Sequence, residues 1–283
     1  MGAPWVGHPV DDGNPPGRVR RRATVTIRRP SSLWLRSRRP VPEAGSRLVC
    51  FPHAGGPAGY YLSLLAPLSP GVEVSAVQYP GRQDRLGERP VEDLHWLADL
   101  IAAELDGVAD RPCAFFGHSY GAVVAYEVAL RLAGSSGPGS GPAALYVSGS
   151  VAPSRPRPLA SLPNGDAALL AELRELSGTE SAVLEDPELM ELLLPALRAD
   201  YHARRGYLPR PGPVLDIPIS ALVGDGDPKV TVAEADAWRE HTTAGFDLTV
   251  FPGGHFYLVE QQPDLLRLLA VRQASLVSTR QAG

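Results

Sequence analysis

Residues 113–133 read CAFFGHSYGAVVAYEVALRLA, and the fold is read outward from them. Cys113–Phe116 is a short apolar run of strand type, and Ala122–Ala133 is an apolar stretch of helical length. Between them Gly117-His118-Ser119-Tyr120-Gly121 matches Gly-x-Ser-x-Gly. The pentapeptide alone is a weak signal. A strand before it and a helix after it make it a strong one, because a serine on so sharp a strand-to-helix turn projects its hydroxyl above the sheet. Ser119 is the candidate nucleophile, set near the positive end of the helix that follows.

Upstream, Arg47–Phe51 and Val72–Val77 read as strands, with helical spacing over Tyr60–Leu68 between them. Glu92–Val108 is an amphipathic helix, with Leu94, Leu97, Ile101 and Leu105 on one face. Downstream, Ala143–Val147 reads as a strand. Ile219–Val223, Thr231–His241, Leu248–Phe251 and Leu265–Arg272 read as strand, helix, strand and helix. Short buried strands alternating with amphipathic helices predict an α/β fold with a mostly parallel central sheet flanked by helices. Residues 152–213 break the rhythm. They hold helical segments (Asp166–Leu176 and Pro187–Arg205) and no strand, which predicts a helical lid over the carboxyl ends of the strands. The expected organisation is a basic, flexible extension over 1–43 and one domain over 44–283.

A serine hydroxyl needs a base and an orienting acid, and behind such an elbow the chain order is Ser, acid, His. After Ser119 the histidines are His202, His241 and His255. His202 falls in the helical insertion and His241 ends a helix. His255 lies in the glycine loop Phe251-Pro252-Gly253-Gly254-His255-Phe256, just past the last strand, and is the candidate base. The acid should follow the preceding strand, where Val223-Gly224-Asp225-Gly226-Asp227-Pro228 offers two carboxylates. Asp227 is preferred as the acid and Asp225 is the alternative; the competing reading of Asp225 is a residue that forms the turn. An oxyanion needs two backbone N–H donors. Tyr120 supplies one, and the small loop Phe51-Pro52-His53-Ala54-Gly55-Gly56 the other, assigned to Ala54 with Gly55 as its near rival. His53 and His118 read as loop-shaping and packing residues.

The chain has 27 basic and 31 acidic residues, unevenly spread. The first 40 residues hold nine Arg against Asp11 and Asp12, leaving 18 basic and 29 acidic residues in the remainder. An acidic body with a basic tail does not read as a nucleic-acid-binding protein. No apolar run approaches the ~20 residues that span a bilayer, and the N-terminus lacks the apolar core of a secretory signal. Cys50 and Cys113 sit in apolar runs and read as small buried hydrophobes rather than a disulfide. No Cys/His group has zinc spacing. A cytoplasmic, monomeric enzyme without metal or cofactor is the expectation.

Five segments in this order resemble the type II thioesterases that accompany polyketide synthases and nonribosomal peptide synthetases, members of the α/β-hydrolase superfamily. They are Leu48–Gly56 (LVCFPHAGG), Tyr79–Arg85 (YPGRQDR), Gly117–Gly121, Leu222–Pro228 (LVGDGDP) and Gly253–Phe256 (GGHF). The similarity runs from about Trp34 to the C-terminal helix and includes Leu197-Arg198-Ala199-Asp200-Tyr201. The elbow and the His loop are common to many hydrolases; the Tyr-Pro-Gly-Arg and Phe-Pro-His-Ala-Gly-Gly segments are more specific. Two positions depart from the family: Tyr120 stands where Met is common, and Ser150-Val151 where paired Arg is frequent. The resemblance implies an editing hydrolase that clears aberrant or stalled acyl groups from the phosphopantetheine arm of acyl or peptidyl carrier proteins in antibiotic biosynthesis. Docking would use arginines near the insertion: Arg155, Arg157, Arg204 or Arg205. A general small-molecule carboxylesterase and a product-releasing thioesterase are the competing readings.

Overall fold

The computed structural model describes residues 1–2, 33–106, 110–134, 141–156, 162–176 and 186–282. Strands β1 (Leu35–Ser37), β2 (Ser46–Phe51), β3 (Val72–Val77), β4 (Cys113–His118), β5 (Ala144–Ser148), β6 (Ile219–Gly224) and β7 (Phe246–Phe251) form one sheet. Its order is β1-β3-β2-β4-β5-β6-β7. Among the described strands only the β1–β3 pair is antiparallel. The described helices are α1 (Ala58–Leu64), α2 (Leu94–Leu105), α3 (Tyr120–Ala133), α4 (Asp166–Leu176), α5 (Pro187–Gly206), α6 (Val232–Asp236), α7 (Tyr257–Glu260) and α8 (Gln262–Ala282).

The continuous apolar run of β2 follows from its position inside the sheet, with both faces covered. Val49 and Phe51 pack with Leu94, Leu97 and Ile101 of α2 and with Val124 of α3. Leu48 and Cys50 point to the other face and pack with Tyr61 of α1 and with Leu265 and Leu269 of α8. Each fully buried Leu or Ile in these two layers contributes about 2 kcal/mol of apolar burial. Cys50 and Cys113 are free, and burial pushes the Cys113 thiol up to about 12.

Several boundaries differ from the sequence reading: the helix read over Tyr60–Leu68 is α1 followed by a 3-10 turn, and the one read over Thr231–His241 is α6 followed by another. The domain does not start at residue 44: Leu35–Ser37 pairs with Ser75–Val77 as an edge strand. Three residues are too few to show a period, so β1 carries no signal of its own. Helix α2 begins at Leu94 because the Asp93 side chain accepts the Trp96 N–H at 2.7 Å and caps it. The C-terminal helix is longer than read, from Gln262 to Ala282.

Strand order reverses between β2 and β4, so the loops after these two strands diverge and leave a crevice at the carboxyl edge of the sheet. The loops after β5, β6 and β7 end on the same edge. The elbow fits there only with glycine on both sides of it. A Cβ on Gly121 would lie 2.0 Å from the Phe51 carbonyl oxygen, and one on Gly117 would lie 2.3 Å from the Gly121 oxygen. Both obstacles are backbone and cannot rotate away. Gly121→Ala should therefore destabilise the fold by about 3 kcal/mol or more, the upper end of overpacking. Urea unfolding would show it as a lower midpoint at unchanged slope; a parental midpoint would mean that α3 can retreat from β2.

Candidate active site

Ser119 follows β4 and precedes α3, with φ 55° and ψ −119°. A non-glycine residue at positive φ is strained. The turn is held by the Ser119 N–H donating to the Ser148 oxygen at 2.8 Å and the Ala122 N–H donating to the Ser119 oxygen at 3.1 Å. The hydroxyl Oγ lies 3.0 Å from His255 Nε2. On the far side of the ring, His255 Nδ1 lies 2.8 Å from Asp227 Oδ2. A carboxylate accepts only, so Nδ1 carries the proton and Nε2 is left as the acceptor facing the hydroxyl. His255 and Asp227 are both buried.

The two aspartates after β6 have different tasks. Asp227 holds His255 with one oxygen, and with the other accepts the Lys229 N–H at 2.8 Å. Asp225 accepts the Gly253 N–H at 2.9 Å, tying the β6 loop to the β7 loop. The other two histidines lie elsewhere. His241 is bound to Tyr126 and Ser154, and His202 is exposed on α5.

Two further imidazoles crowd His255. The His118 ring centroid is 5.0 Å from that of His255, and His53 is 6.1 Å from His118. His118 Nδ1 bonds the Ser148 hydroxyl, which in turn bonds the Tyr257 hydroxyl. His53 Nδ1 bonds the Tyr61 hydroxyl at 2.7 Å. Burial, followed by the nearby His255, pushes His53 down to about 3 and His118 well below its ordinary value. Both are thereby held in the neutral form, so neither sets a positive charge beside the His255 ring.

The same depression makes acid costly. A histidine whose folded pKa lies below its unfolded value binds fewer protons folded than unfolded. Stability is then lost as pH falls through the unfolded value of 6.5 towards the folded one. At pH 5, His53 alone should cost about 2 kcal/mol relative to pH 7.5. Urea midpoints at the two pH values would show the loss, and His53→Gln should reduce the slope; an unchanged slope would assign the acid sensitivity to other groups.

Tyr120 is the first residue of α3, so its N–H is one of the helix's unpaired N-terminal donors. Ala54, Ser119, Tyr120 and His255 line one cavity of about 160 Å³. The Gly55 N–H is engaged: it donates to Asp200 Oδ2 of α5 at 2.7 Å. Tyr120 itself is buried, edge-on to Tyr79 at 6.3 Å between centroids.

Helices α4 and α5 of the inserted region border the same cavity through Glu172, Leu176, Asp200, Tyr201 and Arg204. They are tied to the body by charge. Lys229 Nζ of the β6 loop lies 2.6 Å from Glu172 Oε2 of α4, while the Tyr201 hydroxyl of α5 donates to Glu172 at 3.1 Å and joins the two inserted helices to each other. Asp200 is ion-paired with Arg82, and both are buried. Of the arginines expected to dock a partner, Arg155 bonds Glu240 at 3.0 Å and Arg205 donates to the Leu162 oxygen. Arg204 lies over the Tyr207 ring, and Arg157 is outside the described residues. The sequence reading assigned no role to Arg82, Glu172, Asp200 or Lys229. Arg82 and Asp200 did stand in motifs quoted above, which was the available signal. Among the described residues no group of three or more His, Cys, Asp or Glu could hold a metal, and no helix is long and apolar enough to cross a membrane.

A mostly parallel seven-stranded sheet with a serine elbow at its carboxyl edge is the architecture of an α/β-hydrolase. Within that class the chain belongs to the thioesterase family, whose domain model matches residues 46–271. It is 47% identical over 232 residues to "Thioesterase PikA5" of Streptomyces venezuelae, covering 82% of each chain. It is 45% identical over 230 residues to the "Probable cadicidin biosynthesis thioesterase" of Streptomyces griseus, which spans 81% of this chain but 63% of that protein. Among solved structures it is similar to the type II thioesterase BorB from the borrelidin biosynthetic cluster. There the TM-score is 0.77 and the identity 44%, covering 88% of this chain and 100% of that one.

Proposed function

We propose that the protein is a type II thioesterase of polyketide or nonribosomal peptide biosynthesis. It hydrolyses acyl groups from the phosphopantetheine arm of carrier proteins and so clears aberrant or stalled intermediates. The observation that carries this reading is the Ser119–His255–Asp227 hydrogen-bonded chain at a cavity roofed by the inserted helices, in a thioesterase-family chain. His255 Nε2 takes the hydroxyl proton as Ser119 Oγ attacks the thioester carbonyl, and Asp227 stabilises the imidazolium. The oxyanion is received by the N–H groups of Ala54 and Tyr120, a reading favoured over Gly55 because the Gly55 N–H is already bound. Collapse expels the pantetheine thiol with the proton from His255. A water deprotonated by His255 then releases the free acid from the acyl-Ser119 ester and restores the hydroxyl. No step calls for a metal or cofactor.

The reading places the enzyme in the cytoplasm as a monomer, with α4 and α5 acting as a lid that admits the arm and excludes water. The test is kcat/KM for one short acyl group offered on a phosphopantetheinylated carrier protein and as a small p-nitrophenyl ester. A clear preference for the carrier supports the proposal. Equal or better turnover of the ester would leave a general carboxylesterase, and a preference for one full-length product chain would indicate a releasing thioesterase.

A further inference from the structure

The loop bearing Ala54 is held from outside its own segment, at three backbone groups. The Tyr79 hydroxyl donates to the Pro52 oxygen at 3.3 Å. Gln78 Oε1 accepts the Ala58 N–H at 2.9 Å. Asp200, from the inserted helix α5, accepts the Gly55 N–H at 2.7 Å. Gln78 and Tyr79 belong to the segment after β3, which also supplies Arg82. Arg82 is ion-paired to Asp200, lies over the Tyr79 ring at 4.9 Å, and has its carbonyl bonded by Gln78 Nε2 at 2.8 Å. Leu197, one turn before Asp200, covers Gly55, where a Cβ would lie 3.0 Å from its Cδ1. Gly55 has φ 72°.

Resting on the reading above, we propose that Asp200 is a positioning residue for the oxyanion site, with Arg82 as its counter-ion. The carboxylate fixes the peptide on the C-terminal side of Ala54, and Tyr79 fixes the carbonyl of Pro52 on the N-terminal side. Together they aim the Ala54 N–H into the cavity. Arg82 offsets the negative charge that a lone carboxylate would set close to a developing oxyanion. The aim of the donor then depends on α5 being seated on the loop. This links the inserted helices to the chemical step as well as to access. The bond costs no reorganisation during reaction, which is what makes such donors effective.

The substitutions Asp200→Asn and Asp200→Ala test this in the full chain, on whichever acyl substrate the parent turns over best. Gly55 and Arg82 share one oxygen, Oδ2 of Asp200, so asparagine can keep that acceptor for both but removes the charge that balances Arg82; alanine removes the acceptor as well. Asp200→Ala should lower kcat about 100-fold and Asp200→Asn about tenfold, each with KM within about twofold of the parent. Affinity for an alkyl boronic acid, whose adduct with Ser119 is tetrahedral and anionic, should fall in parallel with kcat. Unchanged kcat in a folded Asp200→Asn, or a raised KM at constant kcat, overturns the proposal. An Asp200→Asn protein that fails to fold also overturns it, by assigning the pair to stability. If Ser119→Ala retains the parental rate, it is the serine-hydrolase reading that has failed rather than this one.

Discussion

Replacing Ser119 with alanine should lower kcat on an acyl thioester by about 10⁶. Among the described residues the hydroxyl is the one group set against His255 Nε2, at 3.0 Å, and without it no acyl-enzyme can form. The substitution leaves the turn almost untouched, since alanine at φ 55° carries the same Cβ strain as serine. Folding and binding of the acyl carrier should therefore persist while turnover does not. On the proposed assignment of the oxyanion donors, the N–H groups of Ala54 and Tyr120 would leave a small residual rate by direct attack of water. Two measurements check this: single-turnover release of a radiolabelled acyl group, and labelling by a fluorophosphonate probe with the modified peptide mapped. Parental rates in the alanine variant, or a label on another residue, would remove Ser119 from the mechanism.

Asp227→Asn should reduce kcat by about 10⁴, whereas Asp225→Asn should change it by no more than about threefold. The asymmetry follows from what each oxygen touches. Asp227 Oδ2 faces His255 Nδ1 at 2.8 Å. An amide nitrogen there would donate to Nδ1 and drive the ring proton to Nε2, so that the ring could no longer accept from Ser119. Asp225 accepts one backbone N–H, from Gly253, and asparagine can accept the same bond through its carbonyl oxygen at small net cost. Steady-state kinetics on both variants, with unfolding midpoints to confirm folding, decide it. The reverse ranking would move the acid to Asp225 and require the β6 loop to rearrange in the working enzyme.

Part of this site was legible in the linear chain. The elbow needs only contiguous residues, so CAFFGHSYGAVVAYEVAL carries its own geometry: an apolar strand, two glycines demanded by backbone contacts under 2.5 Å, and a buried helix. The alternation of buried strands and amphipathic helices likewise defines a mostly parallel sheet, because only crossover helices can cover both faces. The placement of His255 in a glycine loop past the last strand was legible for the same local reason.

Other features depended on contacts between segments far apart in the chain. Asp225 and Asp227 share one turn and similar neighbours, and only the seating of the β7 loop on the β6 loop separates them. Ala54 and Gly55 are distinguished only when α5, 145 residues later, brings Asp200 to one of the two N–H groups. Strand β1 has three residues and exists only because β3 offers it an edge. Sequence by itself determined the elements, the elbow and the types of group available for the chemistry. Tertiary structure alone decided which carboxylate meets the imidazole and which N–H of the Ala54 loop Asp200 engages. A hydrogen bond acts over about 3 Å, and strand order rather than sequence distance sets which groups come that close.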